Sequence, residues 1–407
     1  MSPENKNKLA FDSLILYGFC AAVFFTPISI STSTAFAYMA IALSIFGGRF
    51  FRDAGQWPKK EWFIPVMIFI VLHWVGLIYT EDFGLGIKFA KKTHYWLSAF
   101  AVMALASRGL PLRAIVNSFI AGMSLTAAVH IMQYAGVLPL YKRAGAIGFI
   151  HHITYSLMAV FAIMVLSNYF GKEADKRKRF LIGLLSVLLF ASLVVGIGRT
   201  GYLVLVVLSP VIIMNFAGRN NVLKVGVIVV LCLGAMFISP SVRERTKTAI
   251  TDIKSYREGV IETSVGLRFY MWGGALKTIK EHPLFGVGTG GYILELEKQD
   301  KNLYESLKDK ISNQPHNTYL YMAVSFGVPG LAALLWLFAA LVRTGWRNRN
   351  SVLGFSLFSY TLVMMVGSLT DTQIIQGQSA MLLAILTGAG DQPGEPREDD
   401  PGAQRVR

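Results

Sequence analysis

The chain has 407 residues, is 53% hydrophobic and carries a formal net charge of +15. Apolar runs of about 16–24 residues recur from end to end, each long enough to cross or nearly cross a bilayer core, which excludes a pair of soluble domains. These runs are too continuous for barrel strands, and only helices can then satisfy the backbone in lipid. The expected fold is all-α: a polytopic integral membrane protein with about twelve transmembrane helices and one large helical loop. Basic loops that set topology, and contact with phosphorylated membrane lipids, account for the positive charge; nucleic acid is not expected as a partner.

Residues 1–10 are polar, with Lys6 and Lys8 ahead of the first apolar run. This resembles a signal peptide, and Ala35-Phe36-Ala37 mimics a cleavage site. That tripeptide lies inside the next apolar segment, so the first helix is expected to stay uncleaved. Spans are predicted at 11–28, 33–48, 62–80, 86–106, 113–136, 151–170, 180–197, 201–217, 222–239, 317–342, 351–369 and 372–389. Cys20 and Cys232 both fall in apolar runs, so they provide neither a disulfide framework nor a metal site.

Loop charge sets the orientation. With a cytoplasmic N-terminus, the loops on that side hold Arg49, Arg52, Arg108, Arg113, Lys172, Arg343 and Arg347, among others. The short loops of the opposite side hold Lys88, Lys91, Lys92, Lys142, Arg143 and Arg199. This asymmetry places both termini in the cytoplasm. The chain then divides into helices 1–9 (1–239), a loop domain outside the cytoplasm (240–316), helices 10–12 (317–389) and a tail (390–407). The tail is rich in Pro, Gly and charge and is expected to be disordered. Within the loop, an amphipathic stretch at 241–258 is followed by a helix around Arg268–Glu281, a Gly-rich turn and a charged helix near 291–311.

Several motifs lie on the loop side. Arg199 sits in Gly196-Ile197-Gly198-Arg199-Thr200-Gly201, between two apolar runs with almost no loop. An Arg so placed either snorkels or faces a wet cavity or an anion; the flanking glycines would let a bulky headgroup approach. Gly286-Val287-Gly288-Thr289-Gly290-Gly291 matches G-x-G-x-x-G formally, but no strand precedes it, so it is a turn rather than a dinucleotide site. His151-His152 open the sixth span; sequence neighbours point different ways on a helix and no carboxylate is expected near them, so cavity lining is preferred to metal binding. Lys142 and Arg143 precede them. Lys88, Lys91 and Lys92 serve either as interfacial anchors or as contacts for acidic headgroups. Asp371, in Thr370-Asp371-Thr372, either caps the last helix or holds a cationic or imidazole partner. No paired-carboxylate motif appears at a plausible site, so neither a metal nor any other cofactor is expected. Two arginines can meet the charge of a diphosphate instead.

The stretch Asn313-Gln314-Pro315-His316-Asn317-Thr318 joins the loop to the tenth span. Pro315 biases Gln314 away from helix, and Asn317 or Thr318 can cap the helix that follows. His316 is thereby held at a helix mouth at the membrane edge, where its neutral imidazole can accept a proton at ordinary pH.

The segments Arg268-x3-Trp272-x2-Ala275, Pro283-x2-Gly286-x-Gly288, Pro315-His316-Asn317-x2-Leu320 and Gly327 resemble the signature of the O-antigen ligase and polymerase family of the bacterial inner membrane. The layout of spans around one long late loop is similar too. Within that family the chain looks most like the lipopolysaccharide O-antigen ligases, with chain polymerases and protein O-oligosaccharyltransferases as close relatives. The resemblance implies transfer of O-antigen from undecaprenyl diphosphate to a sugar hydroxyl of lipid A-core on the periplasmic face. It further implies that Arg199, Arg268, His316 and Asp371 carry the essential groups: His316 as base, the arginines on the diphosphate, and Asp371, with Asn317, orienting or supporting. Independently of the resemblance, loop charge alone puts these four positions on one side of the membrane. A secondary transporter is the competing class, but its charged residues would gather near the midplane rather than at one surface.

Overall fold

The computed structural model describes residues 3–140, 148–196, 198–217 and 240–391, together with isolated positions between 223 and 234. The described elements are helical: α1 (Pro3–Phe25), α2 (Ile30–Phe46), α3 (Phe63–Val75), α4 (Phe83–Ala90), α5 (Leu97–Ala106), α6 (Arg113–Tyr134), α7 (His152–Lys172), α8 (Lys176–Val195) and α9 (Arg199–Ala217). The loop contributes α10 (Pro240–Arg257), α11 (Ser264–Glu281), α12 (Tyr292–Gln299) and α13 (Lys301–Leu307), and the chain ends in α14 (Thr318–Arg347), α15 (Val352–Gly367) and α16 (Gly377–Gly390). Among the described residues six helices are long and apolar enough to cross a membrane, and four shorter apolar helices accompany them. The protein is an all-α polytopic membrane protein.

Each predicted span on the described residues overlaps a helix, but one predicted span and one predicted loop helix are broken. The segment 86–106 is not one helix, because α4 passes through a 3-10 turn at Lys91–Trp96 before α5. The charged stretch 291–311 splits where Asp300 caps a new helix by accepting from Leu303 N. The ninth span at 222–239 lies outside the described residues apart from isolated helical positions, and the tail beyond Asp391 lies outside them as well.

The bundle is built around α7. Every residue from Ile153 to Asn168 is buried, as expected of a helix apolar on all faces. Phe161 packs against Tyr360 and Phe119 with ring centroids 4.8 and 5.2 Å away. The N-terminus of α9 lies close on α7: a Cβ at Gly198 or Gly201 would come within 2.7 or 2.4 Å of Ser156 Cβ. These glycines therefore serve helix packing, and the reading that they open the backbone to a headgroup is corrected.

The loops predicted to share an end do so. At one end Asp12 accepts from Arg49 Nε (2.8 Å) and Arg108 Nη1 (2.6 Å), while Lys172 donates to Asn350 O. At the other end the 240–316 segment docks on α3 and α14.

That docking depends on a break in α14. Gly327 has φ 68° and ψ −163° inside the helix, and Pro329 has no N–H. Ser325 O consequently loses its helical donor, and Val328 N turns instead to Pro283 O (2.8 Å), which frees Val324 O. The Gly-rich turn supplies the missing donors, through Val287 N to Val324 O (2.9 Å) and Gly288 N to Ser325 O (3.0 Å). Thr289 then reaches α3, donating from N to Gly76 O and from Oγ1 to His73 O. Gly286, Gly288 and Gly290 all have positive φ, and a Cβ at any of them would lie within 2.6 Å of backbone. The amides of Val287, Gly288 and Thr289 are thus committed to the bundle, not presented to a ligand.

Gly327→Ala should therefore loosen the loop. An alanine would combine a left-handed backbone with a Cβ 2.5 Å from Pro283 O, at a cost of about 2 kcal/mol or more. We expect a lower melting temperature in detergent and faster proteolysis between residues 240 and 316; an unchanged digestion rate would show that the break does not hold the loop.

Candidate functional site

The segment 315–318 connects the loop to α14, and it is fixed from both sides. Trp272, on α11, donates from Nε1 to Pro315 O (2.8 Å). Asn317 caps α14 by accepting from Leu320 N (3.0 Å) and donates from Nδ2 to Leu369 O (3.0 Å), tying the helix start to the end of α15. Between these anchors His316 adopts φ 50°, the one positive φ of a non-glycine residue among the described residues. Such a backbone costs about 1–3 kcal/mol and persists where its surroundings over-determine it.

His316 Nδ1–H donates to Asp371 Oδ1 (2.8 Å), since an ionised carboxylate can only accept. The Asp371 side chain is 4% exposed and that of His316 29%. Asp371 is held from three directions, accepting also from Thr372 N (2.9 Å) and, on Oδ2, from Gln373 Nε2 (2.6 Å). Gln373 is itself buried and locked: its N donates to Thr318 Oγ1 (3.1 Å) and its Oε1 accepts from Ser379 Oγ (2.7 Å). Burial pushes the Asp371 carboxyl up, but the His316 hydrogen bond and charge and the Thr372 N–H outweigh it, so it titrates below the ordinary carboxylate range. With Nδ1 engaged, the imidazole keeps Nε2 as its remaining nitrogen.

Arg268, on α11 one turn before Trp272, lies within electrostatic reach of Asp371; burial lowers its pKa and Asp371 opposes that shift. Its Nε is buried without a hydrogen-bond partner in the described structure, so this guanidinium keeps an unused donor. Arg199 begins α9, and the next residue meets the Asp371 turn: Thr200 Oγ1 lies 2.8 Å from Thr370 Oγ1. His151, at the N-terminal cap of α7, completes the group. Partial burial pushes its imidazole down; Asp371 opposes that shift, while the charges of His316 and Arg268 reinforce it.

Residues separated by up to 220 positions in sequence thus gather at one end of the bundle, His151 with Arg268, His316 and Asp371, and the first turn of α9 beside them. The structure corrects two expectations about the His pair. Its rings are adjacent, with centroids 4.3 Å apart, because His151 precedes the helix instead of sitting in it. A carboxylate is also in range, since Asp371 arrives from the far end of the chain. His152 lines a small void with His130 and Tyr155 under Gly198.

Lys88 and Lys91 are exposed, and Lys92 places its ammonium 5.2 Å from the Phe89 ring centroid. Among the described residues no hydrogen bond or ion pair joins these lysines to His316 or Asp371. Lys142 and Arg143 lie outside the described residues. One group among the described residues is spaced to hold a metal ion: Glu281, His282 and Glu295, with ligand atoms within 4.8 Å of one another. It sits at the other end of α11, about 20 Å along the helix from Arg268 at 1.5 Å per residue, and is not part of the His316 site.

Sequence reasoning missed Gln373 and Thr318. Both act through hydrogen bonds to Asp371 and its turn, and a buried amide two residues after an Asp has no signature in a single sequence.

The arrangement is that of a polytopic membrane protein with an imidazole oriented by a buried carboxylate and a guanidinium within electrostatic reach of it. Comparison with known proteins agrees with the sequence motifs. A family model described as O-antigen ligase matches residues 184–335, a range that includes Arg199, Arg268 and His316. A Salmonella typhimurium protein named O-antigen ligase is 23% identical over 284 residues, 67% of each chain. An uncharacterized Haemophilus influenzae protein is 30% identical over 200 residues, and the chain spans about half (50%) of its length. The resemblance to the O-antigen ligase family is thus borne out by a family model and by a relative that carries the name.

Asp371→Asn tests the carboxylate's state. Because the folded carboxyl titrates below its unfolded value, its ionisation stabilises the fold above the ordinary carboxylate range, and this contribution is lost as pH falls through the lowered value. The variant should melt lower at neutral pH and lose part of the acid-side slope of melting temperature. Superimposable acid slopes for variant and parent would mean that Asp371 is not ionised in the fold.

Proposed function

We propose that this protein is a lipid-diphosphate-dependent glycosyltransferase that moves O-antigen polysaccharide from undecaprenyl diphosphate to a sugar hydroxyl of lipid A-core. The reading places it in the bacterial inner membrane with the site facing the periplasm. The observation that carries it is the 2.8 Å bond from His316 Nδ1 to Asp371 Oδ1 beside Arg268. That bond fixes the tautomer and leaves Nε2 basic, as proton abstraction from a hydroxyl requires.

In the proposed reaction the acceptor O–H gives its proton to His316 Nε2 while its oxygen bonds to the anomeric carbon of the donor. The bond from that carbon to the diphosphate oxygen breaks in the same step, and the lipid diphosphate leaves with the electron pair. One displacement inverts the anomeric carbon. Arg268, with an unused buried Nε–H, and Arg199 stabilise the charge developing on the leaving group. Asp371 stabilises the imidazolium that forms, and Gln373 holds the carboxylate in register. No nucleotide is consumed, because the lipid diphosphate is already an activated donor.

His316→Gln keeps hydrogen-bonding capacity but cannot take up a proton at useful pH. It should fold, bind a donor analogue and lose about two to four orders of magnitude in transfer rate. Arg268→Lys should fold and lose most activity, since lysine lacks the planar fork that meets two phosphate oxygens at once. Near-normal turnover of His316→Gln in transfer to purified acceptor would remove His316 as the base. Deletion in the source cell separates ligation from polymerisation: loss of ligation leaves full-length polymer on the carrier, whereas loss of polymerisation leaves core with at most one repeat.

Orientation is tested separately. Single cysteines placed in 240–314, in a background lacking Cys20 and Cys232, should react with an impermeant thiol reagent in intact spheroplasts. Labelling only after the inner membrane is broken would reverse the topology.

A further inference from the structure

A second recess lies in the loop domain, on a different face of α11 from Arg268 and Trp272. It has a volume of ≈ 260 Å³ and is lined along α11 by Phe269, Gly273 and Lys277, at successive intervals of four residues. Arg268 and Trp272 form the neighbouring i, i+4 stripe of the same helix. One helix therefore presents one face to the His316 site and another to this cavity.

The lining has a specific chemistry. Phe269 and Tyr256 form an aromatic wall, their centroids 5.1 Å apart at 64°. Gly273 leaves the floor open, since a Cβ built there meets nothing within 4 Å. The polar groups keep unused capacity. Tyr270 Oη is buried with no partner. Gln299 spends its Nε2 on Gly274 O (3.1 Å) and Thr278 Oγ1 (2.9 Å), which orients Oε1 as an acceptor. Asp300 uses Oδ1 to cap Leu303 and retains Oδ2. Lys277 offsets Asp300, so the lining has no net formal charge. A neutral recess with an aromatic wall, a hydroxyl, an amide and a carboxylate suits a pyranose ring: aliphatic C–H groups lie against the ring faces and hydroxyls meet the polar atoms.

We propose that this cavity is a saccharide subsite, holding one pyranose unit of a glycan whose reacting end lies at His316. It is connected to that site by contact: Phe269 packs on Trp272 at 5.9 Å, and Trp272 donates to Pro315 O, one residue from His316. The proposal rests on the glycosyl-transfer reading for which glycan arrives, but the binding it asserts is independent of turnover. Both the donor polysaccharide and the acceptor core contain pyranose units, and the test separates them.

The full-length protein in detergent is examined by saturation-transfer NMR with two probes, O-polysaccharide fragments lacking the carrier diphosphate and core oligosaccharide freed from lipid A. One of the two should show saturation transfer above that of empty micelles, identifying the source. Gly273→Leu fills the recess from an open position and replaces a helical glycine with a better helix former, so it should fold at least as well as the parent. It should weaken binding of that glycan by about tenfold or more, and Phe269→Ala should do the same by removing the wall. Absence of saturation transfer with both glycans, or parental binding in both Gly273→Leu and Phe269→Ala, would overturn the proposal.

Discussion

The interruption of α14 at Gly327–Pro329 is the constraint from which the loop-bearing end is built. A helix in an apolar setting cannot leave carbonyls without donors, because unsatisfied backbone polar groups cost several kcal/mol there. Pro329 removes one donor and Val328 is diverted to Pro283 O, so Val324 O and Ser325 O must be met from outside the helix. Val287 and Gly288 meet them, and the price is a backbone path that only glycine follows easily at 286, 288 and 290. The motif residues Pro283, Gly286, Gly288 and Gly327 thus describe one joint between loop and bundle.

The joint bears on chemistry through α11. With the loop's middle pinned to α14 and α3, α11 packs on α14 and Trp272 reaches Pro315 O. Arg268, one turn earlier, comes to Asp371, which belongs to the turn between α15 and α16. A loop free to move could not hold a guanidinium, an imidazole and a carboxylate from three segments in one arrangement. Positioning of this kind is what the proposed transfer demands, since little of a barrier is lowered unless the reacting groups are held together.

Around Asp371 the electrostatics are organised by scarcity. One buried carboxylate faces His316, His151 and Arg268, and its hydrogen bonds are spent on His316, Thr372 and Gln373. It fixes the imidazole at Nδ1 and lies within electrostatic reach of the Arg268 guanidinium.

The all-α polytopic fold was legible in the sequence, because apolar run length against bilayer thickness and the bias of basic loops are local, additive signals. The same signals put Arg199, Arg268, His316 and Asp371 on one side, and the His-Asn segment was readable as a capped helix mouth. What the sequence left open were matters of contact. Whether Asp371 caps a helix or holds an imidazole was decided by the approach of α14 to the α15–α16 turn. The glycines beside Arg199 proved to be packing positions because α7 lies on them, and the glycines at 286–290 proved to be a joint because α14 is broken opposite. Gln373 and the recess behind Phe269 had no local signal at all. Each depends on groups brought together by folding, and hydrogen bonds between distant segments leave no periodicity for one sequence to display.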